Sequence, residues 1–280
     1  MLHLTMKTTV ITGATSGIGK ATLLSLINQG HRVIGIGRSA EKINECLQKT
    51  ATAVYKGQAE FVRADLSSQR EIRTAADQIL KISSSGIDCL INNAGSFASS
   101  YKETEDALEW QFAVNHIAVF LMTRLLLPVL KEGGRIITVG SSSHFNARLR
   151  WKDPQMKHRY SSLAAYRQSK FFNVLMTNEL NRLYSAKGIN AYIADPGLVN
   201  TEIGLKGTKG LSRLVWSIRR RKGQSVDEGA STSVYLATNP DISLKNGCYY
   251  KYSQPLEPDK RSCDPALMKK LWKLSESFLL

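Results

Sequence analysis

Thr8-Thr9-Val10-Ile11-Thr12-Gly13-Ala14-Thr15-Ser16-Gly17-Ile18-Gly19 is the stretch on which the fold of this 280-residue chain turns. Thr8 to Ile11 is a short β-branched run bounded by glycine, the pattern of a buried strand. Ile18 to Asn28 then takes up a helical period. Glycines between a strand and a helix let the backbone turn tightly, and let it approach an anion held at the helix N-terminus. In this context Gly13, Thr15, Ser16, Gly17, Ile18 and Gly19 read as a loop that cradles the pyrophosphate of a dinucleotide.

The same strand–helix alternation continues outward. Arg32–Ile36, Glu60–Ala64, Ile87–Ile91, Arg135–Val139, Ile189–Ile193 and Gly247–Tyr250 read as further strands. Helical stretches lie between them, at Ala40–Gln48, about 68–83 and a run of about twenty residues before Ile189. Continuous apolar strands alternating with helices predict an α/β fold: a single-domain, Rossmann-type, doubly wound parallel sheet of about seven strands with helices on both faces. No low-complexity linker or internal repeat divides residues 1–280. Hydrophobic residues make up 42% and charged residues 22%, which supports a packed globule rather than a disordered chain. The apolar stretch Ile117–Leu130 is too short to cross a bilayer and carries Arg124 and Pro128, so it reads as a buried helix. Met1–Lys7 runs straight into the first strand and has no signal-peptide pattern. The four cysteines, Cys46, Cys89, Cys248 and Cys263, form no C-x-x-C pair, so neither a disulfide framework nor a zinc site is expected.

The cofactor can be read further from the strand ends. The second strand ends Gly35-Ile36-Gly37-Arg38, without the carboxylate that would bond an adenosine ribose. Arg38 instead offers a fork suited to a 2′-phosphate, which favours NADP(H). Ala64-Asp65-Leu66 closes the third strand, where Asp65 and Leu66 are placed to meet an adenine. Asp65 is equally readable as the N-cap region of the following helix. Asn92-Asn93-Ala94-Gly95 follows the fourth strand on the same carboxyl edge.

On that edge also falls Ser141, just after the strand Arg135–Val139. Tyr166 is the only one of ten tyrosines with a lysine four residues on, at Lys170, and that spacing puts both on one helix face. An ammonium about 4 Å from a phenolate contributes roughly 4 kcal/mol at an effective dielectric near 20. That is on the order of three pKa units and predicts a Tyr166 titrating near neutrality.

Together Thr12–Gly19, Asn92–Gly95, Asn115, Ser141, Tyr166, Lys170 and Asp195-Pro196-Gly197 resemble the short-chain dehydrogenases/reductases, in the expected order from residue 8 to about 201. Ala165–Leu175 and Leu271–Ser275 look like the retinol-dehydrogenase-like branch. Two features depart from the pattern: Gly140 stands where relatives often have the first of two serines, and a hydrophobic N-terminal anchor is missing. The resemblance implies an NADP(H)-dependent oxidoreductase acting on a carbonyl/alcohol pair of a lipophilic substrate, such as a retinoid, a steroid or a long-chain aldehyde or ketone. It implies Tyr166 as general acid/base, Lys170 holding the nicotinamide ribose, Ser141 polarising the substrate oxygen, and Asn115 holding a water in a proton relay. By the same resemblance Asn93, Ala94, Gly95, Pro196, Gly197, Val199 and Thr201 join the cofactor site. The competing reading is a non-catalytic NADP-binding sensor or scaffold.

A serine hydrolase built on Ser141 and His144 is disfavoured because no Gly-x-Ser-x-Gly elbow surrounds the serine. His116 and His158 lack metal-ligand spacing, and no metal is expected. Cys89 reads as a small core residue. The formal charge of +15 is concentrated in two segments. Residues 200–225 hold seven basic residues (Lys206, Lys209, Arg213, Arg219, Arg220, Arg221, Lys222) against Glu202, and 148–159 holds five (Arg148, Arg150, Lys152, Lys157, Arg159) against Asp153. Leu211, Leu214, Val215 and Ile218 recur at helical spacing, so 198–225 reads as a substrate lid and 264–280 as a C-terminal helix. No nucleic-acid-binding module accompanies the charge. A cytoplasmic protein is expected, its basic mouth able to contact an anionic membrane peripherally.

Overall fold

The computed structural model describes residues 6–52, 55–200, 223–244 and 247–280. Strands β1 (Thr8–Thr12), β2 (Arg32–Gly37), β3 (Gln58–Arg63), β4 (Ile87–Asn92), β5 (Leu130–Val139), β6 (Asn190–Asp195), β7 (Tyr249–Lys251) and β8 (Gln254–Pro255) form one sheet in the order β3-β2-β1-β4-β5-β6-β7-β8. Every neighbouring pair is parallel except β7–β8. The seven anticipated strands are present, and β8 is an added two-residue antiparallel return.

Helices α1 (Gly17–Asn28), α2 (Ala40–Thr52), α3 (Gln69–Ile82), α4 (Trp110–Phe112), α5 (Ala118–Leu126), α6 (Ser162–Tyr184), α7 (Val226–Thr238) and α8 (Pro265–Glu276) surround the sheet. Both faces of the central strands are covered, which is why β1 is buried at every residue despite three threonines. One core joins Ile72, Phe112, Phe120, Phe172 and Leu271 from α3–α6 and α8. The opposite core joins Leu23, Leu26 and Leu236 from α1 and α7. Each such side chain contributes about 1.5–3 kcal/mol through burial.

Trp110–Val129 forms one helical run of 20 residues, with mean hydropathy 1.7. It is therefore long and apolar enough to cross a membrane, contrary to the shorter span the sequence suggested. The helix starts seven residues before Ile117, and 72% of its most apolar 18-residue stretch is buried within this fold. Its apolarity is accounted for by the sheet beneath and α8 above; Trp272 meets Phe120 edge-on at 5.0 Å and Phe278 meets Phe112 at 5.1 Å. Ala113–Ile117 inside this run is a π-turn.

Most of the anticipated lid, residues 201–222, and Thr201 with it, lies outside the described residues. The base of that segment is closed: Asn200 N donates to Gln224 O at 2.8 Å and Gln224 N to Leu198 O at 2.7 Å.

Candidate active site

The strand order reverses between β1 and β4, so the loops leaving their carboxyl ends diverge and open a crevice. Thr12 sets its floor. Its hydroxyl accepts the amides of Asn93 and Ala94, both at 3.0 Å. Asn93 Nδ2 returns bonds to Thr12 O at 2.9 Å and Gly13 O at 3.3 Å, so its side chain braces the glycine loop. Gly13 has φ +69°, and a Cβ there would sit 3.1 Å from Ala94 Cα. A Cβ on Gly19 would collide with Gly13 O and Asn93 Nδ2. The loop ends at Ser16, an extended N-cap residue whose side chain caps nothing, and the first turn of α1 carries no acidic residue. By contrast, Ser68, Ser161, Ser225 and Asp264 cap α3, α6, α7 and α8 with their side chains. The exposed, uncapped amides of α1 therefore keep their affinity for an anion.

Beyond β2, Arg38 is largely exposed, 3.9 Å from Asp65 Oδ2. Its carbonyl accepts Arg63 Nε at 3.2 Å. At Gly37 a Cβ would stand 2.5 Å from Thr15 Cγ2, so the packing of the loop itself disfavours a carboxylate there. Asp65 Oδ1 accepts the Ser67 amide and hydroxyl at 2.9 and 2.8 Å, but the N-cap of α3 is Ser68. Leu66 is half-buried against the adjoining core. Ile18, Val199 and α7 converge at Gly229, where a Cβ would lie 2.6 Å from Val199 Cγ2 and 3.4 Å from Ile18 Cγ1.

Tyr166 and Lys170 lie one turn apart on α6, with Lys170 Nζ 5.8 Å from the Tyr166 ring centre. Ser141 leaves β5 beside them. Phe97 meets the Tyr166 ring edge-on at 5.8 Å. Lys170 is buried and its Nζ donates to Val139 O at 2.8 Å. Burial lowers its pKa to about 8, opposed by the charge of Asp195. Burial likewise pushes the Tyr166 phenol up to about 12; the Ser141 hydroxyl pulls it down and Asp195 raises it further. The expected depression of Tyr166 towards neutrality is thus absent. The ammonium is turned to a carbonyl rather than the phenol, and loss of water outweighs its field.

Asn115 sits in the π-turn, fully buried. Its Oδ1 accepts the Ser96 amide at 2.7 Å, while Nδ2 donates to Ser96 O at 2.9 Å and Ser169 Oγ at 3.2 Å. Its side chain therefore ties the β4 loop to α6. The Asn115 carbonyl, loosened from α-helical pairing by the π-turn, accepts Asn173 Nδ2 at 2.8 Å. Asn173 Oδ1 thus faces His116 Nδ1 at 3.1 Å, and His116 Nε2 meets Ser275 Oγ at 2.8 Å. His144 is committed too: Nδ1 bonds the Ser141 carbonyl at 2.9 Å and Nε2 accepts the Asp259 amide at 3.3 Å. Neither nitrogen serves the Ser141 hydroxyl, which closes the hydrolase reading. Cys89 is buried in β4, its thiol pushed up to about 12 by burial, as a core residue should be. Among the described residues no group of three or more His, Cys, Asp or Glu is placed to hold a metal.

Thr12 and Asp195 entered the sequence reading only as members of matching motifs, without a role, and Ser142 and Tyr249 were not anticipated. The signal for Thr12 and Asp195 was present, since each is a polar residue ending a parallel strand at the ligand edge. Ser142 and Tyr249 gave no signal, because only the sheet order brings β7 beside β6.

A model of the short chain dehydrogenase family matches residues 7–210. Retinol dehydrogenase 14 of Mus musculus is 33% identical over 288 residues, covering 96% of this chain and 85% of that protein. Polyprenol dehydrogenase of Homo sapiens is 34% identical over 281 residues, covering 95% and 83%. Among solved structures, a putative uncharacterized protein from Mycobacterium paratuberculosis is 32% identical with a TM-score of 0.77, covering 98% of this chain and 93% of that one. The chain belongs to the short-chain dehydrogenases/reductases, in their retinol-dehydrogenase-like branch, and so to the oxidoreductases that act on CH–OH groups with a nicotinamide cofactor.

Proposed function

We propose that this protein is an NADP(H)-dependent oxidoreductase that interconverts a carbonyl and an alcohol on a lipophilic substrate, a retinoid, a steroid or a long-chain aldehyde or ketone, with Tyr166 as general acid/base. The observation that carries this reading is the meeting of Ser141, Tyr166 and Lys170 at the carboxyl rim, beside a crevice that ends on the uncapped amides of α1. The crevice fits a dinucleotide: small residues line its turn, and its one open helix terminus suits a pyrophosphate. Gly13 to Gly19 would hold the pyrophosphate, Asp65 and Leu66 the adenine, and Ala94, Gly95, Pro196, Gly197 and Val199 the nicotinamide half. Arg38, largely exposed at the end of β2 and only loosely paired with Asp65 at 3.9 Å, would pair with a 2′-phosphate. Bound there, a reduced nicotinamide supplies hydride; the remaining tasks fall to the chain.

Tyr166, with a pKa of about 12, holds its proton at neutrality and is an acid in position to give it to a developing alkoxide. Lys170, with a pKa of about 8, is mostly an ammonium at pH 7 and stabilises the phenolate left behind. Ser141 holds and polarises the substrate oxygen. Exposed Phe145, Leu163, Leu198, Tyr252 and Leu256 follow β5, open α6, follow β6 and flank β8, giving the mouth an apolar lining suited to lipophilic substrates. The basic loop 148–159 beside that mouth would let the protein rest peripherally on an anionic membrane.

The test is turnover of NADPH and of NADH with retinal, a steroid ketone and a long-chain aldehyde. NADPH-dependent reduction of at least one is expected. Tight NADPH binding with no hydride transfer to any of them would support the sensor or scaffold reading instead.

A further inference from the structure

Asp195 ends β6 and is 1% exposed. Its Oδ2 accepts two hydroxyls, from Ser142 and from Tyr249, both at 2.5 Å. Its Oδ1 accepts the Gly197 amide at 2.9 Å. Ser142 in turn receives Lys251 Nζ at 3.1 Å. These groups come from three neighbouring strands: Ser142 follows β5, Gly197 follows β6, and Tyr249 and Lys251 stand at the two ends of β7. Ser142 is the direct neighbour of Ser141. Gly197 occupies the left-handed region at φ +71°, its Cα against the Tyr252 ring, so the turn it makes tolerates no side chain. One carboxylate therefore cross-links the segment carrying Ser141 to the segment carrying Pro196 and Gly197.

The carboxylate also lies beside the α6 pair: Lys170 Nζ bonds Val139 O, and Val139 is in register with Ala194, the residue before Asp195. It acts on Tyr166 and Lys170, and on His144 behind β5. Tyr249 and Lys251 approach from β7, and Val139 O is the partner of the ammonium from β5. A purely structural brace could be built from a neutral acceptor such as Asn. A buried charge without a hydrogen-bond shell would be costly, and here three donors surround it.

We propose that Asp195 is a positioning residue of the active site, its carboxylate clamping the Ser141–Ser142 and Pro196–Gly197 segments together and serving as the fixed counter-charge that keeps Lys170 protonated. The inference rests on the oxidoreductase reading of the Ser141–Tyr166–Lys170 site. Lys170 is held at about 8 with Asp195 in place. Removing a negative neighbour lowers an ammonium's proton affinity, so Lys170 loses its proton at lower pH.

The experiment compares Asp195→Asn and Tyr249→Phe with the parent protein. The readouts are the titration of the nitrogen-labelled Lys170 amine by NMR without cofactor, and the pH dependence of kcat with NADPH and an accepted carbonyl. In Asp195→Asn the amine midpoint and the alkaline limb of kcat move down by about one pH unit, and kcat falls at least tenfold with KM changing less. In Tyr249→Phe, which keeps the charge, the midpoint stays and the rate falls less. An Asp195→Asn protein that folds and leaves the Lys170 midpoint where it was overturns the counter-charge role. Should Asn at this position prevent folding, the Ser142→Ala/Tyr249→Phe pair decides the clamp: a tenfold fall in kcat supports it and an unchanged kcat overturns it. A parent protein with no turnover sinks the oxidoreductase reading alone, because the amine titration still reports on the charge.

Discussion

A phenol held near 12 beside an ammonium held near 8 sorts the proton inventory of the rim at neutral pH. On the proposed mechanism, the donor is loaded and the cation that would stabilise its conjugate base is mostly in place. On the proposed reading, cofactor choice rests on another single side chain. Arg38→Ala should weaken NADPH binding by roughly 1.5–3 kcal/mol, about ten- to a hundredfold, because a charge-assisted contact is lost. NADH affinity should barely change, and calorimetry of both nucleotides checks this. His116 makes a prediction about stability. Complete burial lowers its pKa to about 4 from 6.5. The unfolded chain therefore binds the extra proton first, and stability is present above 6.5 and lost as pH falls towards 4. The loss reaches about 3 kcal/mol at the acid end. Urea unfolding of the protein and of His116→Gln at both ends of that window should show the slope flattened in the variant.

At the scale of elements, the site is made where loops from β1, β4, β5 and β6 leave the sheet and are tied to one another. The tie between the first two depends on close backbone approach. Gly19→Ala would drive a methyl into Gly13 O and Asn93 Nδ2, so NADPH affinity should drop more than tenfold while the far-ultraviolet circular dichroism is kept. Retained affinity would show that the loop has slack the structure does not suggest. The strands and the loop after β1 were legible because a β-branched run followed by glycines has few other solutions. The Tyr166–Lys170 spacing was legible because four residues on a helix can mean only one face. What escaped was set by tertiary context. The π-turn at Ala113–Ile117 has no composition signature, yet it frees the Asn115 carbonyl for Asn173. The start of the long apolar helix at Trp110 was hidden by the polar Gln111, Asn115 and His116, all buried against partners. The Tyr166 titration escaped because charge spacing is visible in a sequence and desolvation is not.

For the molecule as a whole, the proposed reading sets an apolar mouth and the basic loop 148–159 on one rim of the sheet. The formal charge of +15 gives an anionic surface a long-range attraction that salt weakens. Co-sedimentation with anionic vesicles should therefore be appreciable at low salt and fall as salt rises, while neutral vesicles bind little. Replacing Arg148, Arg150 and Lys152 together by Glu should reduce it at least several-fold, since each basic residue near such a surface is worth about 1 kcal/mol. Binding indifferent to salt and to those charges would remove the membrane from the account. The central claim is chemical, and it is tested most directly by single-turnover reduction of an accepted carbonyl at saturating NADPH, in the protein and in Tyr166→Phe. The account predicts hydride transfer slowed by about a hundred- to ten-thousandfold, with NADPH affinity within a few-fold of the parent. Hydride transfer in Tyr166→Phe at a rate close to the parent's would contradict it.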